Sequence, residues 1–195
     1  RVDMGGDAFN KQFYFDLGSG QFTGEVDRLD WDVALDNRDG HFYLWLNSAN
    51  SKSSTEMAVF AATGKYQMDA VTSVDGLDDL WRWETSTGDT SLNALGAWWS
   101  SMDEQPKSKG EVIALGRGYA HNWSDYLGNA KFIIDSATEE AYSLRAADLD
   151  GGNATELAVV RNKEHNFSYL SFDGMARQVQ VEPRKEDWDL LFTRY

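Results

Sequence analysis

The chain has no cysteine among its 195 residues. That excludes a disulfide framework, a thiolate metal site and a cysteine nucleophile in one stroke. Proline occurs twice and histidine three times, so general-base chemistry has little material to draw on. The sequence contains no GxSxG, no HExxH and no glycine-rich phosphate loop. Three scattered histidines supply no orienting partner at a meaningful spacing, and the chain is expected not to be an enzyme. A carboxylate pair drawn from distant strands is the one catalytic device that spacing does not expose. Positive charge is also scarce. Eighteen basic residues face 32 acidic ones, a formal charge of −14 that repels nucleic acid and an anionic membrane surface alike. Apolar runs are too short to span a bilayer.

What the chain does have is aromatic side chains, 13% of residues with eight tryptophans, and 42% hydrophobic residues overall. This is ample for a packed core and suits sheets, where flat rings pack across neighbouring strands. The sequence also repeats. Phe15, Asp16, Gln21, Asp30, Trp31 and Asp32 recur as Phe172, Asp173, Gln178, Asp187, Trp188 and Asp189, at a constant offset of 157. A repeat without insertions between its anchors indicates one supersecondary unit used twice. The expected organisation is a β domain over 1–165, with 166–195 forming the opening strands of a second, truncated repeat.

Phe13, Phe15 and Leu17 alternate with polar neighbours, as do Trp31, Val33 and Leu35, so both stretches predict half-buried strands. Asp39-Gly40 is a turn signal before the apolar 41–46, which predicts a hairpin. A polar loop over 47–55 leads into a short strand at 57–61. The stretches 111–115, 130–134, 142–146 and 156–160 predict an antiparallel meander. Over 77–102, Leu77, Leu80, Trp81 and Glu84, and then Leu92, Leu95, Trp98, Trp99 and Met102, have helical spacing broken by Gly88 and Gly96, which predicts short helices or irregular loops. The fold class is therefore mainly β, antiparallel, with an irregular middle.

Several segments resemble one family. Trp31-Asp32-Val33-Ala34-Leu35, Ala58-Val59-Phe60 and Tyr66-Gln67-Met68-Asp69, followed by Thr72, Val74, Asp75 and Gly76, stand in the order found in the HmuY family of bacterial outer-membrane haem-acquisition lipoproteins. The segment from Val112 to Tyr119, Leu127-Gly128-Asn129 and Lys131-Phe132 is similar to that family's closing hairpin. The segment from Trp188 to Tyr195 looks like the opening motif of members carrying a second copy. The resemblance implies a surface-exposed binding lipoprotein, lipid-anchored or secreted, working with a TonB-dependent outer-membrane transporter. Any lipid anchor would lie outside this chain. It further implies haem or another nutrient as the ligand, with Met102 touching a haem and Trp98, Trp99 and Trp81 as pocket walls. The sequence departs from the family in having no histidine over 85–110. Met57, Met68, His41 and His121 are the other candidate iron ligands. The competing expectation is an accessory structural subunit of an outer-membrane complex with no small-molecule ligand.

Two further clusters carry chemistry. His121 beside Trp123 and Tyr126 could present aromatic faces to a flat ligand, a porphyrin or a sugar ring, or simply be a solvated loop. Asp148, Asp150, Asn153 and Glu156 offer hard oxygens at loop spacing, which reads either as a calcium site or as a β-turn satisfying its own backbone donors. Adjacent Trp98 and Trp99 read equally as a ligand wall or as a protein contact.

Overall fold

The computed structural model describes residues 3–6, 9–84 and 89–194. Residues 85–88, which fall in the irregular middle, and Tyr195 lie outside the described residues. In chain order the strands are β1 (Lys11–Asp16), β2 (Gln21–Asp27), β3 (Val33–Asp36), β4 (Leu44–Leu46) and β5 (Val59–Ala62). They continue with β6 (Trp99–Met102), β7 (Pro106–Ser108), β8 (Ile113–Gly116), β9 (Asn129–Ala137) and β10 (Ala141–Asp148). The last four are β11 (Thr155–Val160), β12 (Phe167–Ser171), β13 (Arg177–Val179) and β14 (Leu190–Phe192).

All pairings among them are antiparallel, and they build sheets in the orders β14-β1-β2, β13-β12-β3-β4, β11-β10-β9-β8-β5 and β6-β7. The protein is mainly β, as the alternating patterns predict. The β3-β4 hairpin turns at Gly40, whose φ of 71° is the left-handed conformation that glycine adopts without strain.

The four-stranded sheet is the middle layer. On one face Val33, Leu35, Leu44, Leu46 and Leu170 pack against Phe60, Leu115, Phe132 and Leu144 of the five-stranded sheet. On the other, Ala34, Tyr169 and Trp31 meet Tyr14 of the three-stranded sheet. Burial on both faces explains why every residue of β3 is buried, Asp36 included, which is held by Arg38. Residues 68–81 cover the outer face of the five-stranded sheet through Val71 and Leu77.

The middle of the chain is irregular, as expected: among the described residues, 77–102 contains a 3₁₀ turn at Thr90–Leu92 and the strand β6, and no α-helix. Its helical spacing reflects a chain draped over a sheet, which buries residues wherever the path dips inward. The expected boundary at residue 165 falls in the connection between β11 and β12. β12 lies between β3 and β13, and β14 pairs with β1, so 166–195 is woven into the sheets of the first copy.

The repeat is nevertheless structural. In each copy a hairpin (β1-β2 or β12-β13) is followed by a Trp-Asp pair and a third strand (β3 or β14), and that third strand pairs with the other copy's hairpin. Asp32 donates its backbone N–H to the Leu170 carbonyl at 2.8 Å, and its Oδ2 accepts from the Phe172 N–H at 2.7 Å. Asp189 does the same on the other hairpin, donating to the Phe15 carbonyl at 2.9 Å and accepting from the Leu17 N–H at 2.8 Å. The tryptophans follow suit. Trp31 sits edge-on to Tyr169 at 5.0 Å and 77°, and Trp188 edge-on to Tyr14 at 4.9 Å and 76°. Each Trp-Asp pair thus clasps the hairpin of the opposite copy.

The two clasps differ in burial. Asp32 is 2% exposed and bonded by Arg117 Nε at 3.1 Å, whereas Asp189 is exposed. Asp32→Ala is expected to cost about 3–5 kcal/mol, because it leaves the Arg117 charge buried without its partner. Asp189→Ala is expected to cost about 1 kcal/mol, the value of one exposed hydrogen-bonding group. Urea denaturation of the two variants measures both, and equal losses would contradict the asymmetry.

Candidate functional site

Two adjoining clefts, of about 360 and 520 Å³, share Ser54, Met57 and Trp83 and form one groove along the β5 edge of the five-stranded sheet. Its first wall is the 51–57 loop. Backbone bonds from Lys52 and Ser53 to the Glu56 carbonyl close the loop on itself, and Lys52 Nζ reaches Glu56 Oε1 at 2.8 Å. That lysine holds the Glu56 carboxyl below the usual range, so it is a carboxylate in the groove.

The second wall comes from Trp81 and Trp83. A single bridge ties Arg82 to Phe60 of β5 through two backbone bonds of 2.8 Å. Residues two apart on an extended chain share a face, so Trp81 and Trp83 point to one side and both line the groove. Trp83 is 53% exposed, so one of the largest apolar side chains faces the groove.

The third wall is the Tyr119–Tyr126 bridge, with ring centroids 5.4 Å apart. Two glycines make it fit. A Cβ on Gly116 would stand 2.8 Å from Val59 and 2.9 Å from the Tyr126 hydroxyl, and one on Gly118, where φ is 82°, would stand 2.4 Å from the Asn50 carbonyl. Tyr126 donates to Asn129 Oδ1 at 2.6 Å. Burial pushes its phenol up to about 12, so it stays a hydroxyl across the working pH range. Arg28, fully buried, supports the bridge from below by donating to Asn50 Oδ1 and the Tyr119 carbonyl, each at 2.9 Å. Ser48 and Ser51 with Arg194 and Glu84 close the far end. The groove is a row of aromatic faces rimmed by hydroxyls, an amide, a guanidinium and carboxylates, the composition of a site that orients a ring-bearing polar ligand.

Of Met102, Trp98, Trp99 and Trp81, the residues first expected to hold haem, Trp81 lines this groove. Trp98 is 5% exposed in the main core and donates its indole N–H to the Phe42 carbonyl at 2.7 Å. The void beside it, about 30 Å³, has room for about one water and not for a porphyrin. Trp99 is half-buried between Tyr43 and Trp98. Met102 lies exposed on β6 opposite Pro106. The structure therefore does not gather Met102, Trp98, Trp99 and Trp81 around one space. Met57, named above as a further thioether, does line the groove.

The His121 cluster is also dispersed. His121 Nε2 pairs with Asp27 Oδ1 at 2.7 Å, and Trp123 is sandwiched between the Arg28 and Arg194 guanidinium groups at 4.0 and 4.1 Å. Tyr126 alone of that cluster reaches the groove. In the 148–156 loop, Asp148 Oδ2 accepts from Asn153 at 2.7 Å and Asp150 Oδ1 from the Gly152 N–H at 2.8 Å. Glu156 leaves along β11, opposite Arg145. No group of three or more His, Asp or Glu side chains among the described residues is placed to hold a metal ion.

Trp83, Tyr119, Ser54 and Asn129 were not singled out from the sequence. The Trp81-Arg82-Trp83 spacing was the available signal, since two tryptophans flanking an arginine on an extended chain share one face. No family model, no curated protein and no solved structure matches the chain.

Core and surface placement of the aromatic residues is open to test. Trp98→Ala is expected to cost about 3–5 kcal/mol through the core cavity it leaves. Met102→Ala is expected to stay within about 0.5 kcal/mol, as surface substitutions do. Thermal or urea unfolding of the two variants reads the difference.

Proposed function

We propose that the protein is a non-enzymatic binding module that holds a glycan in the groove walled by Trp81, Trp83, Tyr119 and Tyr126. The observation that carries this reading is the pair Trp81 and Trp83, set on one face beside β5 and both lining the groove, with Trp81 half-buried against the sheet and Trp83 open to solvent. A sugar ring presents C–H bonds on its faces and hydroxyls around its rim. Indole and phenol faces attract the first, and Asn129, Glu56 and the serine hydroxyls pair with the second. The cleft volumes fall within the usual range for small-ligand sites, which span roughly 300–1,000 Å³.

Binding without turnover fits the state of the two carboxylates. Glu56 is engaged by Lys52, and Glu84, 6% exposed, accepts from the Asn93 amide at 3.3 Å and the Leu46 N–H at 3.4 Å. Each is held by the scaffold, and the Lys52 ion pair keeps Glu56 a carboxylate, whereas a general acid needs a protonated carboxyl facing substrate.

The setting implied by the HmuY resemblance, a surface lipoprotein serving a TonB-dependent transporter, completes the proposal, with a glycan as the nutrient delivered. Haem is the competing ligand for the same groove. Met57 would give its iron one thioether, with no histidine among the groove residues, which is a weak donor set for ferric iron. Calcium at the 148–156 loop forms no part of this reading.

The test is titration with a panel of neutral oligosaccharides, and in parallel with ferric and ferrous haem, followed by tryptophan fluorescence and the Soret band. An oligosaccharide is expected to quench fluorescence, and Trp83→Ala to weaken binding at least about tenfold, a loss of about 1.4 kcal/mol. A Soret shift abolished by Met57→Ala, without any sugar response, would replace the glycan by haem. Silence in both titrations would return the protein to the role of an accessory subunit.

A further inference from the structure

The outer face of the five-stranded sheet carries a second cleft, of about 450 Å³, which shares no lining residue with the aromatic groove. Its floor includes Lys131 of β9 and Ala147 of β10, which pair across the two strands. Lys131 stands two residues before Ile133, which packs on Val71, so both face outward from the sheet. One wall is Met68 and Asp69, from the 3₁₀ turn Met68–Ala70, and the other is the loop after β10, with Ala154.

Lys131 is a buried cation without a counter-charge. It is 2% exposed, and its ammonium donates to the Val71 carbonyl at 2.7 Å and to the Leu149 carbonyl at 2.9 Å, one just past each wall, which holds the charge between them. An ammonium has three donors, and these carbonyls take two. The buried Arg117 and Arg161 each have a carboxylate, Asp32 at 3.1 Å and Glu139 at 3.4 Å, whereas no carboxylate among the described residues forms an ion pair with Lys131. Burial accordingly lowers the lysine's hold on its proton. The acidic groups of the cleft are at its surface instead. Asp69 and Glu156 line it and are exposed, while Arg145, which also lines it, is taken by Asp135 at 2.7 and 2.9 Å.

We propose that this cleft is a second binding site, for an α-amino acid with an apolar side chain, its carboxylate on the Lys131 ammonium and its own ammonium toward Asp69 and Glu156. The charges select a zwitterion. A plain anion would meet Lys131 but is opposed by both exposed carboxylates and by the net charge of −14. A plain cation would be repelled by Lys131 and leave that charge unmatched. Met68, Ala147 and Ala154 offer apolar surface to the side chain, and the volume lies within the roughly 300–1,000 Å³ of small-ligand sites. The site is separate from the aromatic groove, and its test is independent of what the groove binds.

The probes are leucine, isoleucine, valine, methionine and phenylalanine, titrated into the whole chain by calorimetry. Each that binds is compared with the same molecule lacking its amine and with the same molecule lacking its carboxylate; for leucine these are 4-methylpentanoate and 3-methylbutylamine. At least one amino acid is expected to bind, and both of its halves to bind at least about tenfold more weakly. Lys131→Met is expected to abolish binding. Because that variant also strips two carbonyls of their donor, Asp69→Asn and the cleft-filling Ala147→Leu are measured beside it, each with its fold checked by circular dichroism, and both are expected to weaken binding. No binding by any of the five overturns the proposal and leaves Lys131 as a pin between the two walls. Equal binding of the amine-free acid, or binding that Ala147→Leu and Asp69→Asn leave unchanged, overturns it as well.

Discussion

The reciprocal clasp between each Trp-Asp pair and the opposite hairpin is the constraint from which the rest of the structure follows. A hairpin and a third strand from one copy cannot form a buried sheet alone, because the third strand lies beside the other copy's hairpin. Exchange joins residues about 140 and about 170 positions apart, as in Asp32 with Phe172 and Asp189 with Leu17. Contacts of such long sequence separation carry a loop-closure cost that is met late, which places this chain among slow-folding topologies. Once closed, they put β12 and β3 side by side at the centre of the molecule, with a sheet packed on either face.

The buried member of the clasp also reaches the groove. Arg117, which bonds Asp32, lies between Gly116 and Gly118 and donates Nη1 to the Leu127 carbonyl at 3.2 Å. It therefore fixes the backbone on which Tyr119 and Tyr126 are mounted. For Asp32, desolvation outweighs the nearby guanidinium and pushes the carboxyl above its usual range. A pair in that condition adds little net stability, since taking both charges out of water cancels most of their attraction. Its value is positional. It locks the end of β8 against the β3-β12 junction, and the loop carrying the tyrosines inherits that placement.

Much of this was legible in the sequence where one face of a strand is buried. The alternations around Phe13, Trp31 and Val33, and the apolar runs of β8 to β11, correspond to strands because burial imposes a period of two. The strands β2, β7 and β13 were not legible. Most residues of β2 and β13 are exposed, which removes the alternation, and β7, with three residues, is too short to show one. The Trp-Asp repeat was legible, but its Phe-Asp anchors are not equivalent. Tyr14 matches Tyr169, an offset of 155, so the hairpins are slipped by two residues relative to the sequence alignment. An even slip keeps every side chain on its own face, which is why the identities survive beside a shifted register. The site was less legible because aromatic composition does not separate core from surface. Trp98 and Trp83 look alike in sequence; a backbone carbonyl from Phe42 buries one, and a bridge to Phe60 displays the other.

The groove arises from the ending of a sheet. At β5 the chain ends the five-stranded sheet itself: one Arg82 bridge satisfies the Phe60 backbone, and the loop of 51–57 stands alongside. A full strand there would have continued the ladder and left no concavity. A single bridge stops the pairing and turns the flanking tryptophans into walls, so an edge is converted into a groove. An edge closed by its own chain can hold a small ligand because its polar backbone is already satisfied.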